Sequence, residues 1–251
     1  MNKRFASVVI VALIAGGAWT ISTYAQARGE GARAGTPALD PHNISGFWIL
    51  PADGRKVPPA KLLLRVTKAM LDLHARRDTH AVRWCNLPGV PFAMAMGTPI
   101  DIRVGPTTII VAPEGDPAPR YLYLGRKHVS PDVYDNSTNG DSIANWEGNA
   151  LVVDTVGFHA TRGITSIPGG GFKTDKSHLQ ERYRLLANGR VLSVTFTWTD
   201  PMVFAAPHTY EFRYNRLPAT YEPAPAFECD PYDETRAAFI GDPAPFTPAT
   251  K

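Results

Sequence analysis

The chain has few cysteines, and none of the common metal or redox spacings. Only Cys85 and Cys229 occur among its 251 residues. C-x-x-C, H-E-x-x-H and H-x-H spacings are absent, so no pattern typical of a bound metal or a redox-active dithiol is present. The G-x-S-x-G sequence of serine hydrolases is absent as well. We therefore expect neither a metal nor another cofactor.

Long hydrophobic runs are also scarce, and the single one stands at the start of the chain. Lys3 and Arg4 precede VVIVALIAGGAW, and Ala25-Gln26-Ala27 has the spacing that signal peptidases read. This pattern predicts a signal peptide over residues 1–27, with an uncleaved anchor as the alternative. We expect a periplasmic or secreted protein with no membrane span after cleavage, because no later run approaches the roughly 20 residues of a transmembrane helix.

An excess of one charge sign is lacking too. Cleavage would remove two of the 26 basic residues and none of the 23 acidic residues, leaving a formal charge of +1. No basic cluster is interleaved with aromatic residues, so we expect no nucleic-acid partner. In an oxidising compartment Cys85 and Cys229 are expected to form a disulfide bond, and two separately buried thiols are the alternative.

The remaining residues indicate one β-rich domain with a helix near its start. Residues 28–43 are rich in Gly, Ala and Pro and predict a flexible lead-in, and residues 231–251 predict an extended tail. Residues 44–230 are expected to form the domain. A helix is predicted over residues 58–78, from the spacing of five apolar residues that should form its buried face: Leu62, Val66, Ala69, Met70 and Leu73.

Period-two alternation dominates the rest of the domain. It predicts strands separated by Gly, Pro, Asn and Asp turns, and hence a mainly β fold. We expect an antiparallel barrel of the lipocalin or calycin type, or a sandwich, with one N-terminal helix. The predicted strands are ISGFWIL, PIDIRV, TTIIVA, PRYLYLG, ALVVDTVGF, HLQERYRLL, RVLSVTFTWTD and HTYEFRYNRL.

Two of these strands place a carboxylate on a face that is otherwise apolar. Asp154 alternates with Val152 and Val156, and Glu181 alternates with Leu179 and Tyr183. A buried carboxylate needs a hydrogen-bonded partner, a raised pKa or water. An arginine partner would give a structural role, for which Arg182, Arg184 and Arg213 are candidates. Asp200, which precedes Pro201, is expected to cap a turn.

The alternative is a catalytic role in a pocket with apolar walls. There a carboxylate can act as a general acid or base, and histidines can share the proton transfer. The candidate catalytic residues are Glu181, Asp154, His178, His128 and Asp141, with His159 as a further histidine. The candidate substrate-binding residues are Trp146, Tyr134, Tyr183 and Arg182.

The run GDSIANWEGNALVVDTVGF (140–158) resembles the signature G-D-S-x-G-x-W-E-G-D-T-L-V-V-D-T-x-G-F of a family of exported bacterial proteins. The likeness extends to CNLPGVP (85–91), GRKH (125–128) and HLQERYR (178–184). Asn149 and Leu124 depart from the family pattern, which has aspartate at both places. The resemblance implies a secreted β domain and no particular reaction. Its motif residues here are His128, Asp141, Ser142, Trp146, Glu147, Asp154, His178, Glu181, Arg182 and Asp200.

Two classes of function follow from these patterns. The first is an acid–base enzyme, a lyase, isomerase or hydrolase, that acts without metal on a small apolar or aromatic molecule in a barrel pocket. The second is a lipocalin-like carrier that holds a hydrophobic small molecule without changing it. An interaction module of the cell envelope is a weaker third reading. The sequence favours the enzyme.

Overall fold

Strands make up most of the protein. The computed structural model describes residues 40–83, 88–114, 118–130 and 135–224. Cys85, Cys229 and Tyr134 lie outside the described residues, as do most of the predicted lead-in and the whole predicted tail. The elements are β1 (Gly46–Ile49), β2 (Arg55–Lys56), α1 (Lys68–Arg83), α2 (Phe92–Ala95), β3 (Ile100–Val104), β4 (Thr108–Pro113), β5 (Arg120–Leu124), β6 (Asp141–Glu147), β7 (Ala150–Val156), β8 (His178–Leu186), β9 (Val191–Thr199) and β10 (His208–Arg216).

Nine of these strands close into a barrel, so the predicted mainly β barrel fold is confirmed. The strand order is β1-β3-β4-β5-β6-β7-β8-β9-β10, and β1 pairs with β10 to close the sheet. The short β2 also pairs with β10, at Glu211 and Phe212, next to the part of β10 that pairs with β1. Every pairing is antiparallel except that of β5 with β6, which is parallel. The chain between β5 and β6 must therefore return along the barrel, as a parallel connection requires, and this connection carries His128.

Large side chains fill the interior of the barrel. Phe196 stacks against Tyr210 with ring centroids 5.0 Å apart, and Trp198 donates a hydrogen bond from Nε1 to the Tyr210 hydroxyl at 3.1 Å. Such interdigitated packing is what stabilises a barrel core. The fully buried aromatic side chains are Trp48, Phe158, Tyr183, Phe196, Trp198, Phe212 and Tyr214.

The predicted faces are correct for β8 and wrong for β7. In β8, Leu179, Glu181 and Tyr183 are completely buried, as expected. In β7, Leu151, Val153 and Thr155 point inward, while Asp154 lies on the outer face and is half-buried. Both faces of β7 are rich in valine and leucine, so alternation alone could not decide which one faces the core.

The predicted helix begins too early. Residues 61–63 lie extended against residues 203–205, with Leu63 N donating to Val203 O at 2.9 Å, and α1 begins only at Lys68. The predicted face was also wrong, because Ala69 and Met70 are exposed. His74 is buried instead, stacked on Phe172 with centroids 3.8 Å apart. No helix among the described residues is long and apolar enough to cross a membrane.

Strand β6 is absent from the strands that period-two alternation predicts. Ser142 and Ala144 are small and buried, so this strand packs against the core despite its polar composition. Glu147 pairs with Ala150, which leaves Gly148 and Asn149 as a two-residue turn into β7. Gly148 has φ +56°, a conformation that glycine adopts at little cost.

Candidate active site

Glu181 lies inside the barrel and forms an ion pair with Arg120. The Arg120 guanidinium donates to both carboxylate oxygens, with Nη1 to Oε1 at 2.9 Å and Nη2 to Oε2 at 2.5 Å. The side chain of Glu181 is fully buried, and that of Arg120 is 4% exposed. Burial lowers the pKa of Arg120, but the adjacent Glu181 carboxylate more than offsets this and leaves it raised. The pair is therefore charged and mutually neutralised in the core.

Hydroxyl groups occupy the remaining hydrogen-bonding positions of this ion pair. The Tyr183 hydroxyl donates to Glu181 Oε1 at 2.9 Å. Arg120 Nη2 donates to Thr155 Oγ1 at 2.8 Å and to Ser142 Oγ at 3.0 Å. Such a satisfied network favours a structural role over proton transfer. The hypothesis that Glu181 is the catalytic base finds no support in these contacts.

A second charge-bearing side chain in the interior is Lys173. Its Nζ donates to Val90 O at 2.8 Å and to Thr138 O at 3.3 Å. It also lies 5.5 Å from the centroid of the Phe158 ring. Burial lowers the pKa of Lys173 to about 7. This lysine joins three segments of the chain through its backbone contacts.

Asp154, on the outer face of β7, is held between two histidines. Its Oδ1 lies 2.8 Å from His128 Nε2, and its Oδ2 lies 2.6 Å from His178 Nε2. His178 is at the start of β8, and His128 reaches the same carboxylate from the connection between β5 and β6. The three side chains are between 25% and 41% exposed, so a molecule from solvent can reach them.

Asp141, at the start of β6, fixes the other side of the His128 ring. Its Oδ2 lies 3.0 Å from His128 Nδ1 and accepts a hydrogen bond from Val129 N at 3.0 Å. Its Oδ1 accepts from Arg126, whose guanidinium lies 3.9 Å from the centroid of the Tyr123 ring. Both ring nitrogens of His128 are therefore engaged with carboxylates. His128 can position Asp154 but has no free lone pair to offer a substrate.

His178 differs from His128 because only one of its ring nitrogens is engaged. The Asp154 carboxylate can only accept a hydrogen bond, so His178 Nε2 carries the proton. His178 Nδ1 contacts no hydrogen-bond partner among the described residues. The hydrogen bond to Asp154 raises the pKa of His178, and the bond from His178, more than that from His128, lowers the pKa of Asp154. His178 Nδ1 is thus a basic nitrogen, oriented by a charged carboxylate, that remains available for proton transfer.

Apolar side chains surround Asp154 on the outer face of the sheet. Val152 and Val156 flank it along β7, and Ile143 pairs with it across β6. Tyr123 lies one strand further, in register with Ile143. All four are partly exposed. This explains the apolar pattern that the sequence shows around Asp154, and it gives the histidines a surface that suits an apolar or aromatic molecule.

The other predicted residues are distributed differently. Arg182 lies on the same outer face and pairs with Glu147 at 2.9 Å. We call the connected side chains of Asp141, His128, Asp154 and His178 the outer array. Trp146 stacks on His42 with centroids 4.4 Å apart, and Tyr183 lies inside the barrel, so neither belongs to the outer array. His159 accepts hydrogen bonds from backbone N–H groups in its own loop.

Asp200 is a capping residue, as expected. It is buried, and its carboxylate accepts hydrogen bonds from three neighbouring groups, none of which belongs to the outer array. These donors are Thr174 Oγ1 at 2.7 Å, Ser177 Oγ at 2.6 Å and Met202 N at 2.8 Å.

Three charged residues that matter here were not singled out from the sequence. Arg120 alternates with the buried Leu122 in β5, and this alternation could have identified it as the inward partner of Glu181. Arg126 belongs to the GRKH segment but was not assigned a role. Lys173 follows the Pro-Gly-Gly-Gly-Phe loop, and no sequence pattern indicates its burial.

Neither a metal cluster nor a known relative identifies the chemistry. Among the described residues, no group of three or more His, Cys, Asp and Glu side chains is arranged to hold a metal ion. No family model matches the chain, and no curated protein matches it. The geometry of the site is therefore what bears on its chemistry.

Proposed function

We propose that the protein is an exported acid–base enzyme that acts on a small apolar or aromatic molecule at the outer face of β6, β7 and β8. The observation that carries this proposal is the position of Asp154, with one carboxylate oxygen on His128 and the other on His178. The sequence predicted the site in the barrel pocket, whereas this proposal places it on the outer face of the sheet.

His178 is the catalytic residue in this proposal. Its Nδ1 takes a proton from a C–H or O–H group of the substrate, or from an attacking water, and the resulting imidazolium is stabilised by the Asp154 carboxylate. The same nitrogen then returns the proton to the product or to the leaving group. Asp154, His128 and Asp141 are positioning residues, because they act through the ring of His178: Asp154 holds that ring, His128 holds Asp154, and Asp141 holds His128. A lyase, an isomerase and a hydrolase can each use this proton transfer.

The substrate class is supported by the surroundings of the array. Ile143, Val152 and Val156 form an apolar surface next to the Asp154 carboxylate, and Tyr123 extends it towards β5. An apolar or aromatic molecule bound there would exclude water from the imidazole and strengthen its interaction with Asp154. The exposed Tyr121, next along the same face of β5, offers a further aromatic ring.

The lipocalin-like carrier is the weaker proposal. A carrier of that type needs room for its ligand inside the barrel. The described interior is occupied by fully buried Trp, Tyr and Phe side chains, and its carboxylate Glu181 is satisfied by Arg120. These observations favour the enzyme at the outer face.

The compartment of this enzyme is part of the same proposal. The basic start, the apolar run and Ala25-Gln26-Ala27 support export to the periplasm or the medium. The resemblance of residues 140–158 to exported bacterial proteins supports it as well. In that compartment a disulfide bond between Cys85 and Cys229 is expected, and non-reducing peptide mapping of the purified protein tests it.

The proposal is tested by turnover of a panel of aromatic esters, α-deuterated aryl ketones and β-elimination substrates. We expect at least one class to be turned over by the wild type and to lose at least about a hundredfold of its rate in His178→Gln. His159→Gln is the matched control, because this partly exposed loop histidine lies outside the array, and it should keep the wild-type rate. Equal rates in the wild type and His178→Gln across the whole panel would contradict the proposal.

The pH profile of that activity gives a second readout. Because the pKa of His178 is raised above 6.5 by Asp154, its basic form should develop only as the pH rises above that value. In Asp154→Asn the rising limb should move to lower pH, and the maximal rate should fall. A limb that stays in place would exclude His178 as the titrating base.

A further inference from the structure

One large hydrophobic side chain of the described residues is fully exposed to solvent. Leu64 has a relative exposure of 104%, whereas the next most exposed large apolar residue, Met202, has 50%. Single exposed leucines are ordinary on protein surfaces. What distinguishes Leu64 is its setting, which combines a rigid backbone, a second exposed apolar side chain and several cations.

The backbone around Leu64 is held against the barrel. Leu63 N donates to Val203 O at 2.9 Å, and Ala205 N donates to Lys61 O at 2.8 Å. Leu62 lies partly buried against the core, between these two contacts. The chain therefore directs one leucine towards the core and presents the other to solvent from a fixed position.

Arg65 joins Leu64 to Met202. Its guanidinium donates to Pro201 O and to Met202 O, and lies 3.9 Å from Met202 Sδ. We name the resulting surface the Leu64 patch and define it by five residues: Lys61, Leu64, Arg65, Lys68 and Met202. It consists of two apolar side chains and three cations.

The Leu64 patch lies in the most basic part of the described chain. Residues 51–83 carry eight basic and three acidic residues, whereas the full chain has a net charge of only +3. Acidic residues that contact the patch include Asp72, which pairs with Lys68 at 2.6 Å, and the buried Asp200, which accepts hydrogen bonds from Thr174, Ser177 and Met202 N. With Lys68 offset by Asp72, Lys61 and Arg65 leave the patch with a net positive charge.

We propose that the Leu64 patch docks the protein on an anionic phospholipid bilayer. A fixed apolar side chain can enter the boundary between head groups and acyl chains, while the surrounding cations contact anionic head groups. The positive charge of the patch favours an anionic surface. The exposed leucine favours a surface that an apolar side chain can penetrate. An acidic protein or a second copy of this chain would have to supply its own groove for the exposed Leu64, whereas a bilayer needs none.

Vesicle co-sedimentation tests this proposal. We expect the wild type to sediment with equimolar phosphatidylcholine and phosphatidylglycerol vesicles, and to remain in the supernatant with phosphatidylcholine alone or at high salt. Leu64→Asp and the double variant Lys61→Glu/Lys68→Glu should each bind at least about tenfold more weakly. Both variants change exposed side chains, and circular dichroism should show unchanged folding.

Matched controls come from the C-terminal end of β8 and the turn that follows it. Leu186 is 38% exposed there, and Arg184 and Arg190 are exposed cations. Leu186→Asp and Arg184→Glu/Arg190→Glu should bind like the wild type. Equal loss of binding in these controls would overturn the proposal, because non-specific charge would then explain it. Wild type that stays in the supernatant with anionic vesicles would also overturn it. Self-association abolished by Leu64→Asp, without vesicle binding, would identify a second copy as the occupant instead.

Discussion

Two sets of charged side chains occupy neighbouring positions of the barrel on opposite faces of the sheet. Glu181 pairs in register with Val153, and Asp154 pairs with Gln180, so the two carboxylates are one residue apart in the ladder. Glu181 points inward to Arg120, and Asp154 points outward to His128 and His178. The same type of side chain therefore lies in two different environments.

The difference between these sites lies in the partner and in the access of solvent. Arg120 stays protonated throughout the accessible pH range, and the Glu181 carboxylate beside it offsets its charge. Histidine changes its charge near neutral pH, so the outer array has more than one state. A carboxylate beside arginine inside the core supports the fold, whereas a carboxylate beside exposed histidines can support chemistry.

The largest expected effect is on the inner pair. Glu181→Gln leaves the Arg120 guanidinium buried without a carboxylate, which should lower the free energy of unfolding by about 3–5 kcal/mol. Glu211→Gln is the control, because Glu211 pairs with Arg213 at 2.9 Å near the surface, and it should cost about 1 kcal/mol or less. Urea denaturation measures both variants. Equal small losses would contradict the structural role of Glu181.

A second effect concerns the pH dependence of the interior. The pKa of Lys173 is about 7 in the folded protein and 10.5 in its ordinary environment, so between these values the unfolded chain binds more protons. The free energy of unfolding should therefore rise with pH in this window, by about 1.4 kcal/mol per unit. Between roughly pH 7.5 and pH 9.5 the gain is about 2–3 kcal/mol.

Lys173→Met removes this titration. In this variant the free energy of unfolding should not rise with pH in the same window, apart from the contribution of other titrating groups, which the wild type shares. Urea denaturation at several pH values measures the difference. Parallel curves for the two proteins would mean that Lys173 is charged in the folded state.

The smallest expected effect is on the stability contributed by the outer array. Asp154→Asn should change the free energy of unfolding by no more than about 1 kcal/mol, because the array is partly exposed to water. The stabilisation by the array should be fully present between pH 3.8 and pH 6.5, the ordinary pKa values of Asp154 and His178. It should be lost as the pH falls below 3.8 through the lowered pKa of Asp154. It should also be lost as the pH rises above 6.5 through the raised pKa of His178. A loss as large as that in Glu181→Gln would erase the distinction between the two sites.

The sequence predicted the inner face better than the outer one, for a reason visible in the strands. In β8 the outward positions are His178, Gln180 and Arg182, so the apolar alternate positions had to face inward. In β7 both sets of positions are apolar, because the outer face around Asp154 carries valines of its own. A strand that is apolar on both sides carries no information about which side is the core.

The assembly of the outer array depends on topology that no local pattern encodes. Asp154 and His178 lie on β7 and β8, which pair side by side and antiparallel. His128 lies in the connection between the parallel strands β5 and β6, and Asp141 is the first residue of β6. Through this parallel pairing His128 reaches Asp154 at the outer face, and Asp141 reaches His128. The residues of the site were therefore largely predictable, whereas their common location was not.

The most direct test of the outer array is an NMR titration of the His178 ring in the wild type and in Asp154→Asn. The resonance is assigned by its absence in His178→Gln, and it needs no substrate. We expect the pKa of His178 to lie above 6.5 in the wild type and to fall in Asp154→Asn, where the hydrogen bond that His178 donates to a charged carboxylate is lost. A ring that titrates at its ordinary value in both proteins would contradict the proposal that Asp154 prepares His178 for proton transfer.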